Sequence, residues 1–192
     1  GALGDMGCHI MNYPYYAMRF DAPKSVEMVS SGQGTKESPP VWSILRYNFG
    51  AKGEQAPLSM TWYDGGKMPE KPTGIKAMPK NGTLYIGEKG TILAPYSSAP
   101  ELAGDYNYRG PEKTIASSPG HHKEWVLAAK GGAPAGSNFP DYAGLLTEIV
   151  LLGNVALRVG QKIDCDSAAM KVTNNAEANQ YITREYRKGW SL

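Results

Sequence analysis

The spacing of hydrophobic and polar positions changes along this chain and predicts where its helices and strands lie. Near both ends, apolar residues recur every three or four positions, which is typical of helices with one buried face. In the middle, runs of β-branched and aromatic residues alternate with Gly- and Pro-rich segments, which is typical of strands and loops. This order predicts an α+β fold, an open and mostly antiparallel sheet with helices packed on one face.

Helical spacing occurs in four segments, at 4–20, 121–130, 142–159 and 176–184. Pro14 should bend or split the first of them, because proline removes a backbone hydrogen bond. The segment 142–159 has the widest apolar stripe, and Gly160 should end it. Asn174 or Asn175 should cap the last helix.

Strand-forming residues occur in six runs, at 25–31, 41–49, 58–63, 83–86, 91–94 and 162–165. The glycines at 87 and 90 predict a hairpin between two of these strands. Short connections of this kind build an antiparallel meander. Residues 95–120 are rich in Pro, Ser, Gly and Tyr and predict a long loop.

Length and composition narrow the class of protein. The 192 residues suit one domain, over 1–192, with a sizeable core. Its 20 basic and 18 acidic residues are scattered, so neither nucleic acid nor a membrane surface is expected as a partner. The sequence shows no run of about 18 apolar residues, so no membrane-spanning helix is predicted. Cys8 and Cys165 are far apart, which predicts two free thiols and no metal site.

Asp5 and His9 form the most informative pair of polar residues. Four residues apart, they are neighbours on one face of a helix, so the carboxylate could orient the imidazole as a base. Asn12 extends the same face. The alternative is structural: Asp5 would cap the first turn, and His9 would be a partly buried side chain. Spacing alone favours the structural alternative.

The two ends of the chain carry a resemblance to a known family. Residues 1–9, with the Asp5 and His9 pair, resemble the segment that opens the C-terminal domain of the glucose-fructose oxidoreductase and inositol dehydrogenase family (Gfo/Idh/MocA). The far end resembles the closing segments of its predicted dehydrogenases at 146–158, 173–174 and 186–190. The resemblance implies an open antiparallel sheet with a free face that often serves as an oligomer interface, and hence a homo-oligomer.

The same resemblance implies a function. The chain would be the substrate-binding and oligomerisation domain of an oxidoreductase that oxidises or reduces a secondary alcohol of a sugar, cyclitol or related polyol. NAD or NADP would be bound by an N-terminal Rossmann domain. We find no G-x-G-x-x-G turn here, so that domain is expected to be absent from this chain. The chain alone should therefore be inactive and contribute no cofactor-binding residues.

The resemblance also implies roles for individual residues. His9 would be the catalytic base, because imidazole titrates near neutral pH, and Asp5 would orient it. Asn12 would contact the substrate, at a position where many family members carry an aspartate. Glu70-Lys71-Pro72 matches the family's catalytic lysine motif, but that motif belongs to the dinucleotide domain, so we interpret this match as a coincidence.

Four further residues are candidate substrate contacts, namely Trp62, Asp64, His121 and His122. Trp62 and Asp64 could stack on and hydrogen-bond a polyol, or they could simply end a strand. The two histidines could reach a substrate cleft, or they could begin a helix without a ligand. The tyrosine and tryptophan content, 12 and 4 against 3 phenylalanines, also suits a sugar-like ligand.

Two other functions remain open at this stage. One is an NAD-dependent glycosidase of the same architecture, which would use the same residues for a transient oxidation. The other is a non-catalytic binding or scaffold domain. The substrate, the choice of NAD or NADP, and the localisation are not specified by this sequence.

Overall fold

The computed structural model describes residues 1–105 and 107–190. It confirms an α+β fold with antiparallel sheets and few helices. The chain divides into two compact units, Gly1–Glu70 with Thr147–Leu192, and Lys71–Leu146. This division is finer than the single domain predicted over 1–192.

The helices and strands are numbered in chain order. The helices are α1 Ala2–Ile10, α2 Asn12–Met18, α3 His121–Ala129 and α4 Gly144–Val159, with a π-helical turn at Phe139–Ala143 and a 3-10 helix at Glu177–Tyr181. The strands are β1 Ser25–Ser31, β2 Ser43–Phe49, β3 Leu58–Tyr63, β4 Gly82–Gly87, β5 Gly90–Pro95, β6 Glu101–Leu102, β7 Ile163–Asp166 and β8 Lys171–Val172.

The first unit contains a five-stranded sheet in the order β3-β2-β1-β7-β8. All its pairs are antiparallel. Side chains alternate between its faces, as the strand period of two requires. Val26, Tyr47 and Ile163 share one face, where each has no exposed surface. We call this the apolar face, and the opposite side, which carries Glu27 and Arg46, the polar face.

Helices α1 and α4 pack on the apolar face through two glycines. A β-carbon at Gly153 of α4 would lie 3.1 Å from Tyr47 Cζ of β2 and 2.7 Å from Leu3 Cδ2 of α1. One at Gly7 of α1 would lie 2.9 Å from Val150 Cγ1 of α4. The distances to Leu3 and Val150 are too short for a real β-carbon, and the distance to Tyr47 Cζ is tighter than most real contacts. The two glycines therefore permit a close approach of helix to sheet and of helix to helix.

The helix predicted over 4–20 is split, as Pro14 led us to expect. The interruption falls at Met11, three residues before the proline. The helical bonds from the Met11 amide to Gly7 and from the Tyr15 amide to Met11 are present, at 2.9 and 3.0 Å. Pro14 has no N–H for the Ile10 carbonyl, which explains a break in this turn. Pro14 itself lies buried in the first turn of α2.

Helix α4 ends as predicted, because Gly160 adopts a φ of +67° and its amide bonds to the Ala156 carbonyl at 2.9 Å. It is preceded by the π-helical turn, which Asn138 caps through its side chain at 3.0 Å from the Asp141 amide. Together they form a 21-residue segment, Phe139–Val159, that is apolar and long enough to cross a membrane.

The prediction that the chain has no such segment was therefore wrong, as judged by the length and composition of Phe139–Val159. A buried core helix passes the same test, and 44% of the most apolar window in this segment is buried in the protein. Ile149 and Ala156 of α4 have no exposed surface. The apolar stripe of α4 is accounted for by packing inside the protein.

The predicted hairpin is present, with Gly87 paired to Gly90, but it does not extend the first sheet. In the second unit, β4, β5 and β6 form a separate three-stranded sheet. The single meander is therefore corrected to two sheets. The segment between β3 and β4 has prolines at 69, 72 and 79, which cannot donate to a strand ladder.

Strand β8 was not predicted, and an asparagine side chain holds its backbone. Asn179 accepts a bond from the Val172 amide and donates one to the Val172 carbonyl, both at 2.9 Å. Asn175 caps the following helix, as one of our two alternatives predicted, at 3.0 Å from the Glu177 amide. Asn174 instead bonds the Asp164 amide at 2.8 Å. The helix is the shorter 3-10 segment Glu177–Tyr181.

Candidate functional site

Helix α1 presents Asp5 and His9 at its surface. Both side chains are exposed, whereas Leu3 and Gly7 of the same helix are buried. Their four-residue spacing within one helix makes them neighbours on one face, as predicted. The structural alternative is wrong on both counts. The N-cap position is Gly1, with Asp5 inside the helix through its amide bond to the Gly1 carbonyl at 3.1 Å, and His9 is not buried.

Asn12 follows at the start of α2. The hydrogen bonds on either side of Met11 keep α1 and α2 nearly continuous, so Asn12 lies one turn beyond His9. Its side chain is half-buried. The segment thus places a carboxylate, an imidazole and an amide within two helical turns. Such a set can orient a base, transfer a proton and hydrogen-bond a hydroxyl group.

Trp62 and Asp64 contact each other at the end of β3. The Asp64 carboxylate accepts bonds from the Trp62 Nε1 at 2.7 Å, the Ser43 hydroxyl at 2.8 Å and the Ser43 amide at 2.5 Å. Trp62 is only 7% exposed. Of the two interpretations, the geometry therefore favours a strand end and its turn. Substrate contact by either residue stays a prediction.

His121 and His122 begin α3 in the second unit. Both are exposed, and their ring centroids lie 4.0 Å apart. The start of this helix is fixed by Glu124, which accepts bonds from the Gly136 amide at 2.6 Å and the Ser118 hydroxyl at 2.5 Å. These two bonds lower the pKa of Glu124. The geometry is that of a helix start with two accessible imidazoles.

The predicted site residues therefore lie in three places. Asp5, His9 and Asn12 share one helical segment, Trp62 and Asp64 share a strand end, and the two remaining histidines share a helix start. Within 1–105 and 107–190, no three His, Cys, Asp or Glu side chains are grouped so that they could hold a metal ion. Lys71, from the coincidental motif, donates to the Ile75 carbonyl at 2.8 Å within a turn.

Cys165 and Tyr47 are the groups with the largest pKa shifts. Burial raises the pKa of Cys165 to about 11, with smaller contributions from Asp164 and Glu148. Burial also raises the pKa of Tyr47, with a smaller contribution from Cys165. Both groups are therefore neutral near pH 7, and neither is an activated nucleophile or base.

The structure also shows a cluster that the sequence analysis used only as part of the resemblance. Arg184, Tyr186, Arg187 and Trp190 line a cavity near the end of the described chain. Alternation of arginine and aromatic residues was the signal that could have indicated it.

A search of protein-family models finds none that matches this chain, and a search of curated proteins finds no significant match. Membership of the Gfo/Idh/MocA family therefore stays a prediction, which depends on the resemblance of the two chain ends.

Proposed function

We propose that this chain is the substrate-binding and oligomerisation domain of a nicotinamide-dependent oxidoreductase that acts on a secondary alcohol of a sugar, cyclitol or related polyol. The observation that carries the proposal is the Asp5 and His9 pair, one helical turn apart on an exposed face of α1. The resemblance of the two chain ends to the Gfo/Idh/MocA family, which includes this pair and extends to the C-terminal segments, also supports it.

In the proposed reaction the alcohol loses a hydride from carbon and a proton from oxygen. The nicotinamide ring, bound by a separate Rossmann domain, would supply the hydride acceptor. His9 would take the hydroxyl proton. Asp5 would fix the imidazole tautomer and stabilise the imidazolium that forms. Asn12 would hydrogen-bond a neighbouring hydroxyl of the substrate, because its amide both donates and accepts.

Substrate binding can be tested on this chain by itself. We expect a titration with myo-inositol or D-glucose, followed by NMR, to shift the His9 imidazole resonances saturably in the millimolar range. Asp5→Asn should reduce the shift, and Cys8→Ala, an exposed neighbour on the same helix, should not. Unchanged His9 resonances with both polyols throughout that range would contradict the assignment of α1 as the substrate-binding element.

Cofactor binding gives a second test. The sequence has no turn that could cradle a pyrophosphate at a helix N-terminus, so NADH fluorescence should not change saturably when the chain is added. Micromolar binding of NADH by the chain alone that is retained in Arg187→Ala, a change in the C-terminal cavity, would contradict the proposal that a separate domain binds the cofactor.

A non-catalytic scaffold domain is the second candidate function. The observation that favours it is the engagement of Trp62 and Asp64 with each other and with Ser43, which occupies the polar groups of two predicted substrate contacts. The polyol titration separates the two candidates, because a scaffold has no reason to bind a polyol at His9.

A further inference from the structure

The C-terminal segment 184–190 brings two arginines and two aromatic rings together around a cavity of about 310 Å³. The Arg184 guanidinium carbon lies 5.2 Å from the centroid of the Tyr186 ring. The Arg187 guanidinium carbon lies 4.8 Å from the centroid of the Trp190 ring. Both distances are within the range of cation–π attraction, so each arginine is paired with its own ring.

A tight turn fixes one of these pairs. The Trp190 amide donates to the Arg187 carbonyl at 3.0 Å, and Gly189 adopts a φ of +90°. A four-residue turn with positive φ at its third residue is a type II turn, and glycine suits that position. The turn returns Trp190 towards Arg187, so the stacked pair is set by the backbone as well as by the side chains.

The two guanidinium groups have no carboxylate partner in the part of the chain that the structure describes. Ion pairs in that part include Arg46–Glu27, Lys52–Asp21 and Lys162–Asp164, and neither arginine belongs to one. A guanidinium stacked on a ring keeps its N–H donors free at its edge. Because its ring already restrains it, such a guanidinium loses less conformational entropy when it binds an anion.

The cavity also limits the size of the anion. Its volume is at the lower end of small-molecule sites, which span about 300–1,000 Å³. Trp190 is 63% exposed and Tyr186 is 39% exposed, so ring surface remains for a planar group. A guanidinium matches two phosphate oxygens in a bidentate arrangement, and exposed aromatic rings stack on nucleobases.

From this geometry we propose that Arg184 and Arg187 bind the phosphate of a mononucleotide, whose base stacks on Trp190, the more exposed of the two rings. The site lies in the segment 184–190 and uses none of the residues proposed for polyol oxidation. It is therefore independent of that function.

Calorimetric titration of the chain with AMP tests this site. We expect AMP to bind at least tenfold more tightly than inorganic phosphate, adenosine or glucose 6-phosphate, because only AMP supplies both a phosphate and a base. Arg187→Ala should weaken AMP binding at least tenfold, and Trp190→Ala should reduce its affinity to that of glucose 6-phosphate. Lys188→Ala is the matched control: it removes the same charge from the turn at a residue outside the cavity lining, and should change AMP affinity less than twofold.

Several results would overturn the proposal. Equal affinity for AMP and inorganic phosphate would show that the basic side chains attract any anion and that the site is not specific for a mononucleotide. Equal affinity for AMP and glucose 6-phosphate would mean that no base is stacked. Equal loss with Lys188→Ala and Arg187→Ala would show a general charge effect, and absence of AMP binding would remove the site altogether. Far-ultraviolet circular dichroism of each variant checks that the fold is retained.

Discussion

The two faces of the five-stranded sheet differ in what their side chains contact. On the apolar face the aromatic rings pack together, with the Phe20 and Phe49 centroids 4.1 Å apart and those of Tyr47 and Phe49 6.5 Å apart. The polar face instead has cross-strand polar pairs, Arg46 with Glu27 at 3.3 Å and the Asn48 amide with the Ser25 hydroxyl at 3.1 Å. The buried aromatic residues of these strands therefore pack in the hydrophobic core.

This comparison removes one argument for self-association. The resemblance implies a free sheet face that serves as an oligomer interface, for which exposed aromatic residues would be suited, whereas Tyr47, Phe49 and Trp62 are buried. A homo-oligomer through the sheet stays a prediction. If it forms on the polar face, its contacts would include polar residues such as Arg46 and Thr61, which share that face.

Helix α1 shows the same division over nine residues. Leu3 and Gly7 pack inward, and Asp5 and His9 are exposed. We therefore expect changes on the apolar side to alter the free energy of unfolding, and changes on the exposed side of α1 to alter function without altering stability.

The largest effect is expected from Gly153→Val. The new side chain would overlap the Tyr47 hydroxyl and crowd Leu3, because the glycine permits the contact of α4 with the sheet. Overpacking of this kind should cost about 3 kcal/mol, measured as the free energy of unfolding in urea. Leu151→Val, at a position of α4 that is 52% exposed, should cost less than about 0.5 kcal/mol. Equal effects at the two positions would contradict the packing described for Gly153.

Asp64→Ala should have the next largest effect. It leaves the Trp62 indole N–H and two donors of buried Ser43 without their acceptor. We expect a loss of about 2 kcal/mol. Ser43→Ala, which removes a single donor, should cost about half as much. A loss of polyol binding by Asp64→Ala with unchanged stability would instead support its predicted role in substrate binding.

Tyr47→Phe should act in the opposite direction. The Tyr47 hydroxyl is fully buried and has no hydrogen-bond partner in the described part of the chain. Removal of this unsatisfied group should stabilise the fold by about 1 kcal/mol. In the Gly153→Val background the gain should be larger, because the same change also relieves the overlap. Destabilisation by Tyr47→Phe would show that the hydroxyl has a favourable contact.

The smallest effect is expected on the polar face, from Arg46→Ala. Its ion pair with Glu27 is well exposed, at 46% and 39% of the two side chains, so solvent screens the attraction. The cost should be less than about 0.5 kcal/mol and should decrease with added salt. A cost comparable to that of Asp64→Ala would contradict the distinction between the two faces.

Local patterns in the sequence predicted the elements better than their pairing. The runs of strand-forming residues at 25–31 and 58–63 and the glycine at 160 predicted two strands and a helix end correctly, because these depend on neighbouring residues. Assignment of the hairpin of β4 and β5 to a second sheet depends on pairing between distant segments, which hydrophobic period does not encode. The role of Asn179 was missed for a related reason: its side chain bonds both the amide and the carbonyl of Val172, a contact that hydrophobic period does not encode.

The candidate site follows the same rule. The position of Asp5 and His9 on one face could be predicted, because helix geometry relates residues four apart. The two bonds from Ser43 to Asp64 could not, since they depend on the register of β2 and β3. The cavity lined by Arg184 and Trp190 depends on a type II turn, for which Gly189 gave a signal that we did not use.

The most direct test of the proposed function is turnover and melting temperature measured together for His9→Ala, in the full-length oxidoreductase that the proposal implies. We expect turnover to fall by roughly two to four orders of magnitude, as for loss of a general base. The melting temperature should be unchanged, because His9 is exposed. Asp5→Asn should also lower turnover, and Cys8→Ala should retain it. Full turnover by a folded His9→Ala protein would contradict the assignment of His9 as the base.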